Sequence, residues 1–358
     1  MTDQAWEALS NQAVAVAGVV YFLALLAHLV EWTAMRRVPV AATAEPAVPV
    51  GAAAGSGPVS SGPVSHGSDV PDERAGSGKE PVRARLAMFG RLGVLLTGLA
   101  GAVHLVSLVG RGMAADPNRV PWGNMYEFTL AGTFFVTLFY LVLYRRFALA
   151  WMAPLVTGFV LSMLMLAVIW LYDPVAPLTE ALNSPWLVIH VVAAVIATAV
   201  FTLGGITSVL YLVKERTGER ETGYLARVPS TTVLDRISYR MHAFGFPVWT
   251  FAVLISGPIW AHQAWSSYWN WDPKEVWAFI TWVVYAAYLH ARTTAGWKGR
   301  NAAYVALVGL ATLWWSFIGV NFFSTSSQHS YAAPEVEQVV GPVTEPVGGP
   351  AVEPAAGT

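Results

Sequence analysis

Tryptophan is the residue whose clustering first points to chemistry in this chain. Six of the 16 tryptophans fall within 23 residues, in the run WAHQAWSSYWNWDPKEVWAFITW. They are Trp260, Trp265, Trp269, Trp271, Trp277 and Trp282. Packed indole rings with a few polar tips form a flat apolar surface that suits a planar macrocycle or another aromatic ligand. An aromatic belt at the level of the lipid headgroups is the other interpretation, and composition alone leaves both open.

Histidines supply the ligand atoms that such a surface needs. A neutral imidazole nitrogen binds haem iron, and two histidines together hold haem without leaving an open coordination position. His190 lies about one turn inside the predicted span 186–213, and His329 follows the predicted span 302–323 by a few residues. We expect both to lie at the membrane face that carries the tryptophan-rich loop, so one site can collect all three.

His290 is expected to belong to a different site. It lies about 15 residues beyond the start of the predicted span 275–291, which is roughly 22 Å deeper at 1.5 Å per residue. At that depth, next to Arg292 near the inner face, it cannot share a haem with the outer pair.

The other histidines differ in what they predict. They are His28, His66, His104, His242 and His262. A lone histidine in an apolar helix is usually a packed or hydrogen-bonded residue, although ionisable residues inside a membrane merit a functional hypothesis. We expect no ligand role for His66 and His242. His28 is ambiguous, and His104 and His262 are reserve ligand candidates.

The composition requires a lipid environment. Of 358 residues, 55% are hydrophobic and only 12% are charged, and the mean hydropathy is +0.49. A soluble domain needs more surface charge than this. The net charge of −1 argues against nucleic acid as a partner. Because the chain has no cysteine, disulfides, thiolate ligands and covalent attachment of haem to this chain are excluded. Any bound haem is therefore expected to be haem b, held transiently and without a covalent bond.

Eight apolar runs are long enough to cross about 30 Å of hydrocarbon, where the backbone must be helical. They are 13–34, 87–110, 126–144, 149–171, 186–213, 244–262, 275–291 and 302–323. The sequence therefore predicts an all-α, polytopic integral membrane protein with about eight transmembrane helices. Placing the N-terminus and the C-terminus outside puts 18 of the 21 Lys and Arg residues in inner connections, as the positive-inside rule requires. The first run lacks a basic flank and a cleavage site, so we interpret it as a retained helix.

Composition also divides the chain into parts. Residues 1–34 are interpreted as an N-terminal transmembrane helix, and residues 35–85, rich in Ala, Pro, Gly and Ser, as a disordered cytoplasmic linker. Residues 86–331 are expected to form the membrane domain, with an external loop over 260–277. Residues 332–358 carry no Lys or Arg and are interpreted as a disordered external tail.

Three helix starts are recognisable by their caps. Asp272, followed by Pro273 and by Glu275, predicts a capping box at the start of the seventh span. Asn124 and Ser184 precede two other spans in a similar way. Capping is thus the expected local role of Asp272 and Glu275, and it fixes where the tryptophan-rich loop meets the membrane.

The chain resembles the CcsA/ResC proteins, the multi-spanning component of system II cytochrome c maturation. Their tryptophan-rich WWD signature is similar to the run WAHQAWSSYWNWDPKEVWAFITWVVYAAYLHAR, and the runs PWGNMYEF, SPWLVIH and NFFSTSSQHSY resemble the same family. The resemblance covers about residues 86–331. It implies cytochrome c biogenesis, in which haem moves to the outer face of a bacterial plasma membrane. There it is presented for thioether attachment to the CXXCH motif of apocytochrome c.

The resemblance also implies roles for individual residues. His190 and His329 resemble the two outer haem ligands that flank the WWD loop, and His290 resembles the membrane-embedded histidine of an inner haem site. The loop residues implied to contact haem are Trp260, Trp265, Trp269, Trp271 and Asp272. In the family the counterpart of His290 comes from a ResB/CcsB component, so a separate ResB/CcsB-like partner is implied. Thiol reduction is assigned to another external protein. Ser266 departs from the family pattern, which has a glycine after the tryptophan.

Three other functions compete with this interpretation. A b-type membrane cytochrome carries two histidines on one helix, several turns apart, and no predicted span has that pattern. A permease with anchoring tryptophans leaves their clustering unexplained. Haem delivery to a chaperone by CcmC-like proteins shares the WWD motif but uses fewer spans. Whether the chain is itself an enzyme stays open, because the implied haem lyase is a complex and no stand-alone catalytic residue is expected.

Overall fold

The computed structural model describes residues 1–35, 80–176, 182–218, 220 and 223–324. Within these residues the chain is helical and contains no β-strand. The helices are α1 (Asp3–Met35), α2 (Glu80–Met113), α3 (Met125–Tyr144), α4 (Ala153–Trp170), α5 (Pro185–Thr217), α6 (Thr231–Thr250), α7 (Gly257–Trp265), α8 (Pro273–Thr293), α9 (Arg300–Trp314) and α10 (Val320–Phe323). A 3₁₀ turn, Leu149–Met152, precedes α4. The first π-helical segment, Phe251–Ser256, joins α6 to α7, and the second, Trp315–Gly319, joins α9 to α10.

Seven helical stretches of the described chain are long and apolar enough to cross a membrane. They are Asp3–Thr33, Ala87–Met113, Met125–Tyr144, Leu149–Trp170, Pro185–Thr217, Thr231–Trp265 and Arg300–Phe323. They match seven of the predicted spans, so the prediction of an all-α, multi-pass membrane protein is confirmed. The other predicted span, 275–291, forms α8, whose 21 residues suffice in length. It is not among the seven, and it carries charged residues in its first and last turns.

The predicted caps are present at three helix starts. The side chains of Asn124 and Ser184 each accept a hydrogen bond from a backbone N–H group in the first turn of α3 and α5. Asp272 and Glu275 form the capping box of α8. These caps satisfy N–H groups that have no partner within the helix, and they fix the points at which the connecting loops enter the bundle.

Helices α1 and α2 pack along each other for most of their length. The buried face of α1 follows a spacing of three and four residues, at Ser10, Val14, Ala17, Tyr21, Ala24 and His28. That spacing keeps one side of the helix against its neighbour. His28 Nε2 lies 3.4 Å from Thr97 Oγ1 on α2. A Cβ at Gly93 would lie 2.4 Å from the His28 ring, so glycine permits the close approach of the two helices.

The α1/α2 pair joins the other helices around a larger core. Buried side chains from α1 to α6 form the main apolar cluster. A second cluster joins α5, α6, α8 and α9 through rings such as Phe201 and Tyr285, which stack with centroids 4.0 Å apart. This packing brings the first turns of α3, α5 and α8 together with both π-helical segments around one cavity.

Two of the predicted segments lie largely outside the described residues. Most of the linker over 35–85, including His66, lies outside them, and so does the whole tail over 332–358. The ends of α1 and α2, at Met35 and Glu80, lie inside the stretch that was assigned to the linker.

Candidate functional site

A cavity of about 200 Å³ lies among α3, α4, α5, α7, α8 and α9. Its wall is mainly apolar, and its aromatic residues are Trp122, Phe128, Phe159, Trp249, Trp260, Trp265, Tyr268, Trp269, Trp314 and Phe317. Both π-helical segments border it, through Val253 and Ser316. Such segments are frequent at functional sites. An apolar aromatic cavity with a few polar groups has the character of a site for a flat hydrophobic ligand.

His190 lies in the first turns of α5 and borders this cavity. Its Nδ1 lies 2.9 Å from the carbonyl oxygen of Ala252. Because a carbonyl oxygen only accepts hydrogen bonds, Nδ1 carries the proton and the lone pair of the neutral ring is at Nε2. The ring also stacks on Trp260, with centroids 6.0 Å apart and 12° between the planes. A fixed ring with this tautomer is what a metal-ligating histidine requires.

The first π-helical segment makes the hydrogen bond of His190 possible. The carbonyl oxygen of Ala252 accepts the backbone N–H of Gly257, five residues later. Pro258 lacks an N–H group, which accounts for the interruption of the α-helical pattern here. A Cβ at Gly257 would lie 2.9 Å from the Ala252 oxygen and 3.2 Å from the His190 ring. Glycine at this position therefore allows the histidine to reach the helix backbone.

The loop tryptophans divide into a cavity group and a surface group. Trp260 is only 1% exposed, and Trp265 contacts it edge-on with ring centroids 4.8 Å apart. Trp265 and Trp269 also border the cavity. Trp271 is 72% exposed and meets Trp269 edge-on at 5.9 Å between centroids. Three of the four predicted tryptophans thus lie on the cavity wall, and Trp271 lies at the molecular surface.

Asp272 is buried and serves as a cap. Its Oδ2 accepts a hydrogen bond from the backbone N–H of Lys274 at 3.0 Å. Glu275 Oε2 accepts from the backbone N–H groups of Asn270 and Asp272, at 2.8 and 3.2 Å. These contacts hold the loop onto the start of α8 and so position the tryptophans that precede it.

Ser266 ends α7 with φ at 57°, in the left-handed region. Glycine adopts that region without a steric penalty, which is why it is common at this position after a helix. The backbone conformation thus gives a physical reason for the glycine of the family pattern that Ser266 replaces. The serine carries modest strain in its place.

A polar chain on the cavity wall was not foreseen from the sequence. Lys274 borders the cavity, and its Nζ lies 3.3 Å from Asn321 Oδ1. Asn321 is 1% exposed, and its Nδ2 donates to the carbonyl oxygen of Phe317 in the second π-helical segment. The partners are 47 residues apart in the chain, so no local pattern predicts the pair.

The α3 wall of the cavity is held by a buried ion cluster that sequence reasoning also missed. Glu127 Oε1 accepts from Arg111 Nε at 3.0 Å, and Oε2 accepts from Arg119 Nη1 at 2.7 Å. The backbone N–H of Gly123 donates to the same Oε2 at 2.7 Å. The cluster joins α2 and the following loop to the first turn of α3, next to the cavity residue Trp122. The signal in the sequence was a glutamate that follows two arginines at intervals of eight residues, at positions 111, 119 and 127.

His290 lies at the other end of α8 from the cavity and is exposed. It follows Pro273 by 17 positions, which is about 25 Å along a helix. Arg292, two residues after His290, forms an ion pair with Asp235 of α6, with Nη1 2.6 Å from Oδ1. His290 does not border the cavity, so the structure does not bring it together with His190.

The other histidines occupy different settings. His329 lies outside the described residues. His262 is exposed in the loop and stacks on Tyr268 with centroids 4.3 Å apart. Three histidines are buried in helix packing away from the cavity wall, namely His28, His104 and His242.

A model of the family described as Cytochrome C assembly protein matches residues 122–327, which include the cavity and the tryptophan-rich loop. The chain belongs to this family. A cytochrome c biogenesis protein CcsA from Mesostigma viride is 32% identical over 276 residues, covering 69% of this chain and 87% of the relative. A CcsA protein from Guillardia theta is 34% identical over 231 residues, covering 59% of this chain and 76% of the relative. The chain is thus of the CcsA type, and its role lies in cytochrome c biogenesis and the handling of haem.

A solved structure, "Cytochrome c Heme Lyase CcmF", is similar in fold, with a TM-score of 0.51. The sequence identity is 15%, and the match covers 89% of this chain and 49% of that chain. The chain spans about half the length of that structure. At this identity the likeness indicates a common helical architecture, and the family assignment rests on the sequence relatives.

Proposed function

We propose that this CcsA-type chain holds haem in the cavity and presents it at the outer face of the bacterial plasma membrane. There the haem vinyl groups are attached as thioethers to the CXXCH thiols of apocytochrome c. The single observation that carries the proposal is His190. Its Nδ1 is fixed on the Ala252 carbonyl, its ring stacks on Trp260, and it borders an apolar aromatic cavity.

In this proposal His190 is one of the two iron ligands at the outer site. Hydrogen bonding at Nδ1 raises the basicity of the ring and directs Nε2 as the ligand atom. Trp260, Trp265 and Trp269 supply the apolar wall, and the capped loop holds them in place. The contribution of the chain is positioning and the exclusion of side reactions, since haem carries the reactive vinyl groups itself.

The second outer ligand is His329, on the segment that follows α10. Haem b is held there without a covalent bond, and the two histidines keep its iron from other ligands until apocytochrome c supplies its own. Trp271 and Asp272 complete the haem-binding loop. Trp271 contacts haem from the exposed side, and Asp272 holds the loop in place by capping α8.

His290 is proposed as a ligand of an inner haem site, from which haem passes to the cavity. Its exposure at the far end of α8 supports a site that is completed by a second protein. A ResB/CcsB-like membrane protein is the partner that supplies the opposing ligand, and an external thiol-reducing protein keeps the apocytochrome cysteines reduced. The active haem lyase is then the complex.

The test is haem content in the purified complex of this chain with its ResB/CcsB-like partner. Reduced-minus-oxidised spectra and a pyridine haemochrome assay would be recorded for wild type, His190→Ala and His329→Ala. We expect a b-type signal in wild type, and a loss of outer-site haem of at least about 10-fold in both variants. His262→Ala is the matched control, because it removes an exposed imidazole that does not border the cavity. A folded wild-type complex without haem contradicts the proposal.

A second comparison tests the order of the two haem sites. His290→Ala should deplete haem at both sites, because it removes the entry point. His190→Ala should leave the inner haem in place. Inner-site haem that is equal in His290→Ala and in wild type would refute this route.

A further inference from the structure

Arg292 follows His290 by two positions at the end of α8, yet the two side chains have different surroundings. His290 is exposed, whereas the Arg292 side chain is only 8% exposed. We propose that Asp235 is a positioning residue for His290, which acts by anchoring Arg292 and so fixing the last turn of α8. The inference rests on the proposed function, under which His290 is a ligand of the inner haem.

The guanidinium of Arg292 is held by α6. Its Nη1 and Nη2 donate to Oδ1 and Oδ2 of Asp235, at 2.6 and 3.1 Å. Its Cζ also lies 4.7 Å from the ring centroid of Tyr239, one turn after Asp235 on the same helix. A two-point contact between a guanidinium and a carboxylate fixes the orientation of both groups as well as their distance. Arg292 is therefore engaged toward α6.

The same carboxylate holds the turn between α8 and α9. Oδ1 of Asp235 accepts a hydrogen bond from the backbone N–H of Gly299, the N-cap residue of α9, at 3.0 Å. At the start of this turn the N–H of Thr294 donates to the His290 carbonyl oxygen at 2.8 Å. The end of α8 is thus tied to α6 through Arg292, and the turn that follows it is tied to α6 through Gly299. Anchoring of this kind opposes the fraying to which helix ends are prone.

The place of Arg292 on the helix explains how the anchor acts on His290. The buried face of α8 passes through Thr281, Tyr285 and Tyr288, and Arg292 continues it at helical spacing to the end of the helix. Side chains two positions apart lie about 200° apart around a helix. With Arg292 turned toward α6, His290 is turned to the opposite, exposed face, where a second protein can supply the other iron ligand.

The backbone of the last turn therefore sets the direction of the His290 imidazole. The ring is exposed, so the packing of its own chain encloses it little. If the contact between Asp235 and Arg292 is lost, the last turn of α8 can rotate or unwind, and the imidazole plane moves with it. A metal-ligating histidine depends on groups that fix its orientation, and Asp235 supplies that support through the helix.

The test uses the purified complex of this chain with its partner, in a His190→Ala background that retains only the inner haem. Haem titrations and electron paramagnetic resonance spectra of the ferric haem would be recorded for this reference, Asp235→Asn and Asp235→Glu. The spectrum of low-spin ferric haem depends on the orientation of the axial ligand planes, so it reports ring position and not overall stability. Asp235→Asn should shift the spectrum and lower haem affinity by about 10-fold. Asp235→Glu keeps the carboxylate and should restore most of the affinity.

Glu215→Gln is the matched control for these variants. Glu215 pairs with Arg300, next to Gly299, but the Arg300 side chain is 60% exposed, and the pair has a single contact of 3.0 Å. An exposed ion pair contributes little, so the control should keep the affinity and the spectrum of the reference. A shift in the control as large as that in Asp235→Asn would overturn the inference, because the loss of any charge near this turn would then have the same effect.

Arg292→Lys is a second variant, which keeps the charge but loses the two-point contact. It should shift the spectrum in the same direction as Asp235→Asn. If the spectrum and the affinity are unchanged in Arg292→Lys or in Asp235→Asn, the ion pair does not position the ligand and the inference is overturned, while the inner haem site itself still stands. If the reference complex binds no inner haem, the proposed role of His290 fails and the inference fails with it.

Discussion

The α1/α2 pair and the half of the bundle around the cavity each contain a helical histidine that packs against a glycine, yet the surroundings of the two histidines differ. His28 is enclosed by the opposing helix, where a Cβ at Gly93 would lie 2.4 Å from its ring. His190 has a comparable glycine contact on one side, at Gly257, but it borders a cavity of about 200 Å³ on the other. A histidine in a membrane helix is therefore a ligand candidate only where the packing leaves space beside it.

The two regions also use polar groups differently. In the α1/α2 region Tyr21 Oη lies 2.9 Å from Thr137 Oγ1, and Ser10 Oγ donates to the Ser107 carbonyl at 2.8 Å. These hydrogen bonds are directed between helices and hold them together. Around the cavity, His190 and Asn321 instead bond to carbonyl groups of the π-helical segments. There the polar contacts orient side chains beside the cavity and do not join two helices across it.

The largest expected effect separates two tryptophans of the same loop. Trp260→Ala should cost about 3–5 kcal/mol in the free energy of unfolding, because it empties a fully buried position. Trp271→Ala should change stability by less than about 0.5 kcal/mol, since that side chain is 72% exposed. Thermal unfolding in detergent would measure both. Equal losses would mean that the loop is not divided into a cavity group and a surface group.

Gly93→Ala tests the close packing of the α1/α2 pair. The new methyl group would collide with the His28 ring, so we expect a loss of stability of about 1–3 kcal/mol. Haem content per folded molecule should not change, because the pair does not border the cavity. The matched control is Gly98→Ala on the same helix, where no heavy atom lies within 4 Å of the new Cβ. That control should be neutral or slightly stabilising. A loss of haem in Gly93→Ala would contradict the contrast between the two regions.

Gly257→Ala is the corresponding change at the cavity. Its Cβ would lie 2.9 Å from the Ala252 carbonyl oxygen and 3.2 Å from the His190 ring, so the helix backbone and the ring must both shift. We expect a stability loss of about 1–3 kcal/mol. We also expect haem affinity to fall by about 10-fold, because a ligating ring depends on its outer hydrogen bond. Haem titration beside thermal unfolding would measure both effects. If the haem affinity of this variant matched wild type, the Ala252 contact would not orient the ligand.

The smallest effect is expected at the cap of α8. Asp272→Ala should lower stability by about 1 kcal/mol, because the Lys274 backbone N–H loses its acceptor. Asp272→Asn keeps an acceptor at the same position and should remain within a few tenths of a kcal/mol of wild type. Unfolding midpoints of the two variants in one detergent would make the comparison. Equal losses in Asp272→Asn and Asp272→Ala would indicate that the charge, and not the cap, matters.

Much of the fold can be predicted from the sequence because the signals for it are local. Seven of the predicted spans, the capping box at Asp272 and Glu275, and the caps at Asn124 and Ser184 depend on residues within a few positions of one another. Apolar run length and cap chemistry act over one helix or one turn, so no partner helix has to be known. The clustered tryptophans and His190 were recognisable for the same reason.

The arrangement of the site was decided only by tertiary structure. His190 and Ala252 are 62 residues apart, and Lys274 and Asn321 are 47 residues apart. The spacing of residues within one helix contains no information on which carbonyl or amide group of another helix a side chain will contact. Which tryptophans face the cavity likewise depends on how the loop folds back over α5. The sequence by itself therefore determined the membrane helices, their starts and the residue types for binding a flat ligand. Packing between distant helices determined which of those residues share a cavity.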